Sequence, residues 1–242
     1  LTAVSMVSCV LFEFLYRLLT RQRGSVGDLS ACVTGMLLAL SLPASTPYWV
    51  PVMGAAFAII VVKQFYGGLG RNFMNPALAG RMLAGTMPIL MTTWPQPMQK
   101  LSLTAVDAVS AATPMSYLHE GVLPPQTLDL LFLGRRGGCM GEVSAFMLLL
   151  GLGYLFLRRV ISLRVPAGYL GTVALLSLFS VPEGVSPLDW TACQLMGGGL
   201  LMGAIFFATD PTTSPVTPRG QVMFGVGCGL LTMLLRSSSP YP

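Results

Sequence analysis

Charged residues are scarce in this chain. Fourteen lysines and arginines and nine aspartates and glutamates make up 10% of its 242 residues, where a soluble domain carries about 25%. An ordinary soluble domain is thereby excluded. Histidine is represented by His119 alone, which speaks against a histidine-built metal centre. The five cysteines, Cys9, Cys32, Cys139, Cys193 and Cys228, are scattered and contain no C-x-x-C pair. An iron–sulfur cluster or zinc held by this chain alone therefore has no ligand set, and small buried apolar side chains are the simpler reading. No basic run alternates with aromatics, so nucleic acid is not an expected partner. Nothing has the pattern of a cleaved signal peptide. Leu1 falls inside an apolar run and the chain stops at Pro-Tyr-Pro, so it reads as part of a longer polypeptide.

What remains is 53% hydrophobic, with 27 glycines and 18 prolines and a mean hydropathy of +0.71. Glycine and proline at this density suit membrane helices, where neighbouring helices satisfy the backbone groups they free. The chain is read as an all-α polytopic membrane protein. Apolar runs predict eight membrane segments, at about 1–19, 29–42, 50–63, 76–94, 141–157, 164–181, 190–208 and 219–236. Several fall short of the ~20 residues that a full span needs. The segments 29–42 and 50–63 are joined by a proline-rich stretch, which predicts broken helices.

Charge sets the orientation. Arg17, Arg21, Arg23, Lys63, Arg71, Arg158, Arg159, Arg164 and Arg219 gather on one side, against Lys100, Arg135, Arg136 and Arg236 on the other. The richer side is cytoplasmic, and the long polar interval around residues 95–140 then faces outward. A weak internal echo pairs 35–47 with 203–215, each a Gly-led apolar run closed by prolines. By the charge topology the two copies run in opposite directions, which predicts two inverted repeats of about five helices with one more helix at each end. The expected division is a first membrane repeat over 1–94, an extracytoplasmic loop over 95–140 and a second repeat over 141–242.

Four places could carry chemistry. In Asp107-Ala-Val-Ser-Ala-Ala-Thr-Pro114, small residues surround Thr113, and Pro114 biases it toward an extended backbone. Ala111 and Ala112 leave room for a bulky group, and Ser110 and Asp107 are short polar handles; an Asp/Ser/Pro turn is the simpler reading. In Gly67-Gly-Leu-Gly-Arg-Asn-Phe-Met-Asn-Pro, Asn75 with Pro76 predicts a helix start. Arg71 there either holds an anion or ring carbonyl or merely snorkels from a capped loop. Arg81 lies inside a span, where an unpaired charge is costly, so a partner or ligand is expected. Glu142 opens a helix, where a carboxylate is favourable without any function. Asp210 lies in the broken Thr-Asp-Pro-Thr-Thr stretch, and carboxylates so placed often touch ions. Glu13, in the first span, is a lesser candidate of that kind. Methionines and phenylalanines at helical spacing are read as core.

Taken together, several stretches resemble one family, the D subunits of Rnf complexes and, more distantly, the B subunits of sodium-pumping NADH:quinone reductases. The matching residues are Gly67-Gly-Leu-Gly with Asn75-Pro-Ala, Thr92-Thr-Trp94, Asp107-Ala-Val-Ser-Ala-Ala-Thr-Pro114, Gly141-Glu-Val-Ser144 and Ala208-Thr-Asp-Pro211. The first 60 residues match in character only. The resemblance implies FMN joined through its phosphate to Thr113 of Ser110-Ala-Ala-Thr113, installed by a flavin transferase with FAD as donor. Ala111 departs from the glycine common in the wider motif. It also implies ten helices in inverted repeats related to urea and ammonium-type channels, and a second, non-covalent flavin, riboflavin, for which Arg71, Asn75 and Arg81 are the candidates.

The function so implied is that of an electron-transfer subunit of a ferredoxin:NAD+ oxidoreductase coupled to Na+ or H+ transport, not catalytic alone. Asp210 and Glu142 are the ion-pathway candidates. Expected partners are the other Rnf subunits: iron–sulfur and FMN-carrying membrane subunits, an NADH-binding and a ferredoxin-binding subunit. The expected location is the bacterial inner membrane, with the Thr113 loop outside. The alternatives are the B subunit of the quinone reductase and a channel or solute transporter on the same scaffold. Compact length and Arg/Gly content favour the Rnf reading.

Overall fold

A computed structural model describes residues 1–21, 26–86 and 113–238. All regular elements among the described residues are helical. Contacts divide the chain into two compact units, residues 1–93 with 139–141 and residues 94–138 with 142–242.

Unit 1 holds α1 (Thr2–Thr20), a single 3-10 turn (Val26–Asp28), α2 (Ser30–Leu40), α3 (Trp49–Ala56) and α4 (Pro76–Gly85). Beyond Ala56, α3 widens into a π-helix over Phe57–Gln64, a rare winding frequent at functional sites. Small residues let these helices touch backbone to backbone. A Cβ on Gly35 would lie 2.7 Å from the Met6 Cα, and the Ser5 hydroxyl donates to the Gly35 carbonyl at 2.8 Å. A Cβ on Gly80 would come within 2.7 Å of the Gly54 carbonyl oxygen. The end of α2 is closed by residues 139–141. There the Gly141 N–H donates to the Leu40 carbonyl, one of the acceptors a helix end leaves open, and the Met140 N–H to the Leu42 carbonyl just beyond it.

Unit 2 holds α5 (Pro114–His119), α6 (Leu128–Leu133), α7 (Ala145–Leu157), α8 (Arg164–Phe179), α9 (Pro187–Met196), α10 (Leu200–Met202) and α11 (Pro218–Ser238). α10 runs on into a second π-helical stretch, Gly203–Phe207. α8 and α11 meet through Gly225 and Gly229, spaced four apart as in close-crossing membrane helices. A Cβ on Gly225 would sit 2.6 Å from the Val165 carbonyl oxygen, and one on Gly229 2.7 Å from the Thr172 Cβ.

The apolar runs predict α1, α2, α3, α7, α8 and α11 to within a few residues. By contrast, α4 ends at Gly85 inside the predicted 76–94, whose last residues lie outside the described ones, and α5 and α6 lie in the interval read as a loop. Among the described residues two helices are long and apolar enough to cross a membrane, Thr2–Thr20 and Pro218–Ser238, or three if a bent pair counts as one span. The predicted segment 190–208 is not one helix. α9 and the Leu200–Phe207 stretch form a pair bent by 62°, broken at Gly197-Gly198-Gly199, where Gly198 has φ +62°. The stretch 41–48 between α2 and α3 is non-helical, as its prolines require.

Two charges counted as loop charges are buried instead. Lys63 is 1% exposed at the end of the π-helix and Arg136 is 3% exposed. One stood on each side of the charge count, so the imbalance is unchanged.

Candidate functional site

Thr113 is the N-cap of α5, in the extended conformation (φ −74°, ψ 153°) that a following proline favours. It is half-buried, and its side chain makes no capping hydrogen bond. Its carbonyl takes that part, accepting from the Ser116 N–H and hydroxyl. Behind it, Pro114, Met115 and Leu118 are buried. Met115 and Leu118 join Leu131, Trp190 and Cys193 in one apolar cluster, so α5 is a short shelf fixed to α6 and α9. The Trp190 indole N–H is buried with no acceptor among the described residues. Asp107, Ser110, Ala111 and Ala112 lie outside the described residues.

In unit 1 the glycine-rich loop is built as its sequence demands. Gly67, Gly68 and Gly70 have φ of +102°, +93° and +85°, open to glycine and costly for other residues. Asn75 caps α4, its Oδ1 accepting from the N–H groups of Ala77 (3.0 Å) and Leu78 (3.3 Å). Arg71 is exposed and lays its side chain over Gly67. Arg81 is half-buried, with Nη2 3.9 Å from the Cys139 Sγ. Asn72, not singled out by its sequence context, is 8% exposed, and its Oδ1 is buried with no donor among the described residues. A buried acceptor in that state costs free energy unless something supplies a proton.

Glu13 proves to be the most heavily partnered carboxylate in unit 1. It is fully buried. One oxygen accepts from Arg17 at 2.6 Å and from the Gln64 amide at 3.0 Å. The other accepts from Lys63 at 2.9 Å. Lys63 also donates to the Ser30 hydroxyl at 2.6 Å, which donates to exposed Asp28 at 2.7 Å. Burial works to raise the Asp28 pKa, but the Ser30 donors and the charges of Lys63 and Arg17 hold it below the ordinary carboxylate value. An unbroken hydrogen-bonded line thus runs from exposed Asp28 to sealed Glu13. The π-helix makes it, because Lys63 and Gln64 are its last two residues.

In unit 2, Asp210 closes its own turn. Oδ1 accepts from the Thr212 N–H at 3.1 Å and its hydroxyl at 2.9 Å, and the carbonyl accepts from the Ser214 N–H at 2.9 Å. Glu142 lies two residues before the cap of α7, which is Ser144, so it is not a first-turn carboxylate. Its oxygens lie about 3.0 Å from where a Cβ on Gly138 or Gly199 would stand. Arg136 donates through Nε and Nη2 to the carbonyls of Val143 and Glu142. Burial lowers the Arg136 pKa, and the Glu142 charge opposes that. No group of three or more potential metal ligands occurs among the described residues.

Comparison with known proteins adds the family. Residues 1–242 match the model of the NQR2, RnfD, RnfE family. The D subunit of a Na+-translocating ferredoxin:NAD+ oxidoreductase complex from Acetobacterium woodii is 42% identical over all of this chain and 73% of its own length. The D subunit of a proton-translocating complex of that kind from Clostridium ljungdahlii is 36% identical over 98% of this chain and 73% of its own. The D subunit of an ion-translocating oxidoreductase complex from Stutzerimonas stutzeri is 38% identical over all of this chain and 75% of its own. With a match along its whole length, the chain belongs to the NQR2, RnfD, RnfE family.

Proposed function

We propose that this chain is the D subunit of an Rnf-type ion-translocating ferredoxin:NAD+ oxidoreductase, a multi-pass inner-membrane protein active only within its complex. Its relatives' names support this reading. One relative moves Na+ and another H+, so the coupling ion is one of these two. Asp210 and Glu142 are kept as candidates for its pathway. The scaffold of the reading is a pair of inverted repeats with the Thr113 loop outside the membrane. Each unit supplies a π-helical run followed by a polar turn and a helix beginning at proline, Pro76 or Pro218.

Thr113 carries the proposal. Its hydroxyl is not committed to capping α5, its backbone is extended, and α5 is anchored by Met115 and Leu118. These features suit attachment of FMN: a dedicated transferase would break the pyrophosphate bond of FAD, joining the FMN phosphate to the Thr113 Oγ1 as a phosphoester and releasing AMP, which takes up the hydroxyl proton. In unit 1, the buried Asn72 Oδ1 and the glycine-rich backbone suit a second, untethered flavin, with Arg71, Asn75 and Arg81 around the same loop. A flavin supplies one- and two-electron transfer. The protein's part is to hold one ring on a rigid shelf and another beside a buried acceptor. The remaining subunits, with their iron–sulfur, NADH and ferredoxin sites, are the expected partners.

In-gel flavin fluorescence of the denatured chain tests the tether. The native chain should fluoresce and Thr113→Ala should not; fluorescence retained in that variant would refute the attachment site. The family description also spans quinone-reductase members. A cluster-rich ferredoxin-like protein encoded beside this one favours the Rnf complex over that alternative.

A further inference from the structure

In unit 2, where α7 ends and α8 begins, a cavity of about 400 Å³ opens beside the Asp210 turn. Arg159, Ser162 and Gln221 give it a polar wall, and Phe156, Val160 and Val216 an apolar one. Val160 and Val216 are largely exposed. The polar wall is ordered, since the Ser162 hydroxyl donates to the Gln221 Oε1 at 2.9 Å, with Arg164 Nη1 at 3.5 Å. Arg164 and Arg219 then border an apolar groove with Val222 and Met223.

Two observations point to an anionic amphiphile. Arg158, Arg159, Arg164 and Arg219 rim this end of the unit and are all exposed, while the neighbouring carboxylate, Asp210, is turned onto Thr212. Second, Arg159 has a left-handed backbone, φ +55°. The turn it forms, with its N–H on the Phe156 carbonyl and the Val160 N–H on that of Leu155, is one in which glycine is the unstrained choice. An arginine kept in that conformation, lining a cavity, has a use for its guanidinium. Basic pockets between membrane helices hold lipid phosphates, and the guanidinium fork fits phosphate oxygens.

We propose that this cavity binds the phosphate of an anionic phospholipid through Arg159 and Arg164, with an acyl chain lying along Val222 and Met223. To test it, the purified complex is stripped of lipid and titrated with phosphatidylglycerol, phosphatidylcholine or inorganic phosphate. Thermal unfolding of this chain and bound lipid by native mass spectrometry are followed. Phosphatidylglycerol should raise the unfolding temperature by several degrees, and the other two should not. In Arg159→Gly that gain disappears and one phosphatidylglycerol fewer is retained. Glycine relieves the backbone, so the lipid-free unfolding temperature holds or rises, which separates loss of lipid from misfolding. Arg159→Lys keeps the charge without the fork and should retain part of the gain. An undiminished response in Arg159→Gly, or equal stabilisation by phosphatidylcholine or by inorganic phosphate alone, overturns the proposal.

Discussion

Both units take charge out of water, and they satisfy it in opposite ways. In unit 1 the Glu13 carboxylate meets two cations, Lys63 and Arg17, and an amide, Gln64. In unit 2 the half-buried Arg236 donates to neutral oxygen. Its Nη1 donates to the Gln194 carbonyl (2.8 Å) and Oε1 (2.9 Å), and its Nη2 to the Gly197 carbonyl (2.9 Å). The difference follows from what each fold leaves open. A helix broken at Gly197 exposes the last carbonyls of α9, and a cation at a helix C-terminus is favourable there. α1 runs unbroken past Glu13, so that carboxylate meets no open backbone donor and is satisfied by side chains, Arg17 one turn on and Lys63 and Gln64 from the π-helix. The carbonyls of a broken helix can hold a cation, whereas a carboxylate beside an intact one needs side-chain counter-charges.

The largest test of this contrast is Glu13→Gln, which leaves Lys63 sealed without a counter-ion. It should cost about 3–5 kcal/mol, read as a fall in the unfolding temperature of the complex. Glu13→Gln combined with Lys63→Met should recover most of that loss. If the double variant is no better than the single, the pair does not neutralise itself as described. Arg236→Gln removes charged donors and leaves carbonyls open, for an expected loss of about 1.5–3 kcal/mol. Its hydrogen-bond partners carry no charge to delete in compensation, so no second substitution of a charged residue should rescue it.

The units should also separate by flavin. Asn72→Ala is expected to leave fluorescence of the denatured chain intact while lowering acid-extractable flavin, the reverse of Thr113→Ala. Asn75→Ala should instead cost about 1 kcal/mol of stability through the lost cap of α4. Loss of covalent flavin in Asn72→Ala would break the assignment of one flavin site to each unit.

The smallest effect is at Asp28. Its folded pKa is lowered, so its contribution is present above about pH 4, the ordinary carboxylate value, and is lost as pH falls through the lowered folded value. The stability gap between the native chain and Asp28→Asn should therefore close on acidification. A gap that widens toward low pH would contradict the direction of the shift.

The positions of the longer helices and the Asn75 cap are legible in the sequence because they rest on local rules, apolar run length and Asn-Pro at a helix start, whereas the six-residue α5 and α6 are too short for a run-length signal. The break between α9 and α10 is marked by three successive glycines at 197–199 but hidden inside an apolar run of full span length. Lys63 looks like a loop charge because a span of ordinary α-helix would end near it. Its π-helical winding and its pairing with Glu13, fifty residues earlier, are tertiary facts that no local pattern carries. Asn72 is masked by its neighbours: in a stretch crowded with glycine, arginine and Asn75, nothing marks the one acceptor left without a described donor. Arg236 reads as a flanking charge at a membrane boundary, since its acceptors exist only after the helix breaks.

The π-helix over Phe57–Gln64 carries a consequence for how this sequence can change. The i→i+5 winding holds more residues per turn than an α-helix, so deleting a single residue from this stretch would change the winding that presents Lys63 and Gln64 to Glu13. Glu13 would lose its ammonium and its amide together, though neither had been substituted. Length here is as binding as identity: natural variation in this stretch should tolerate exchanged side chains far more readily than a shift of register by one position.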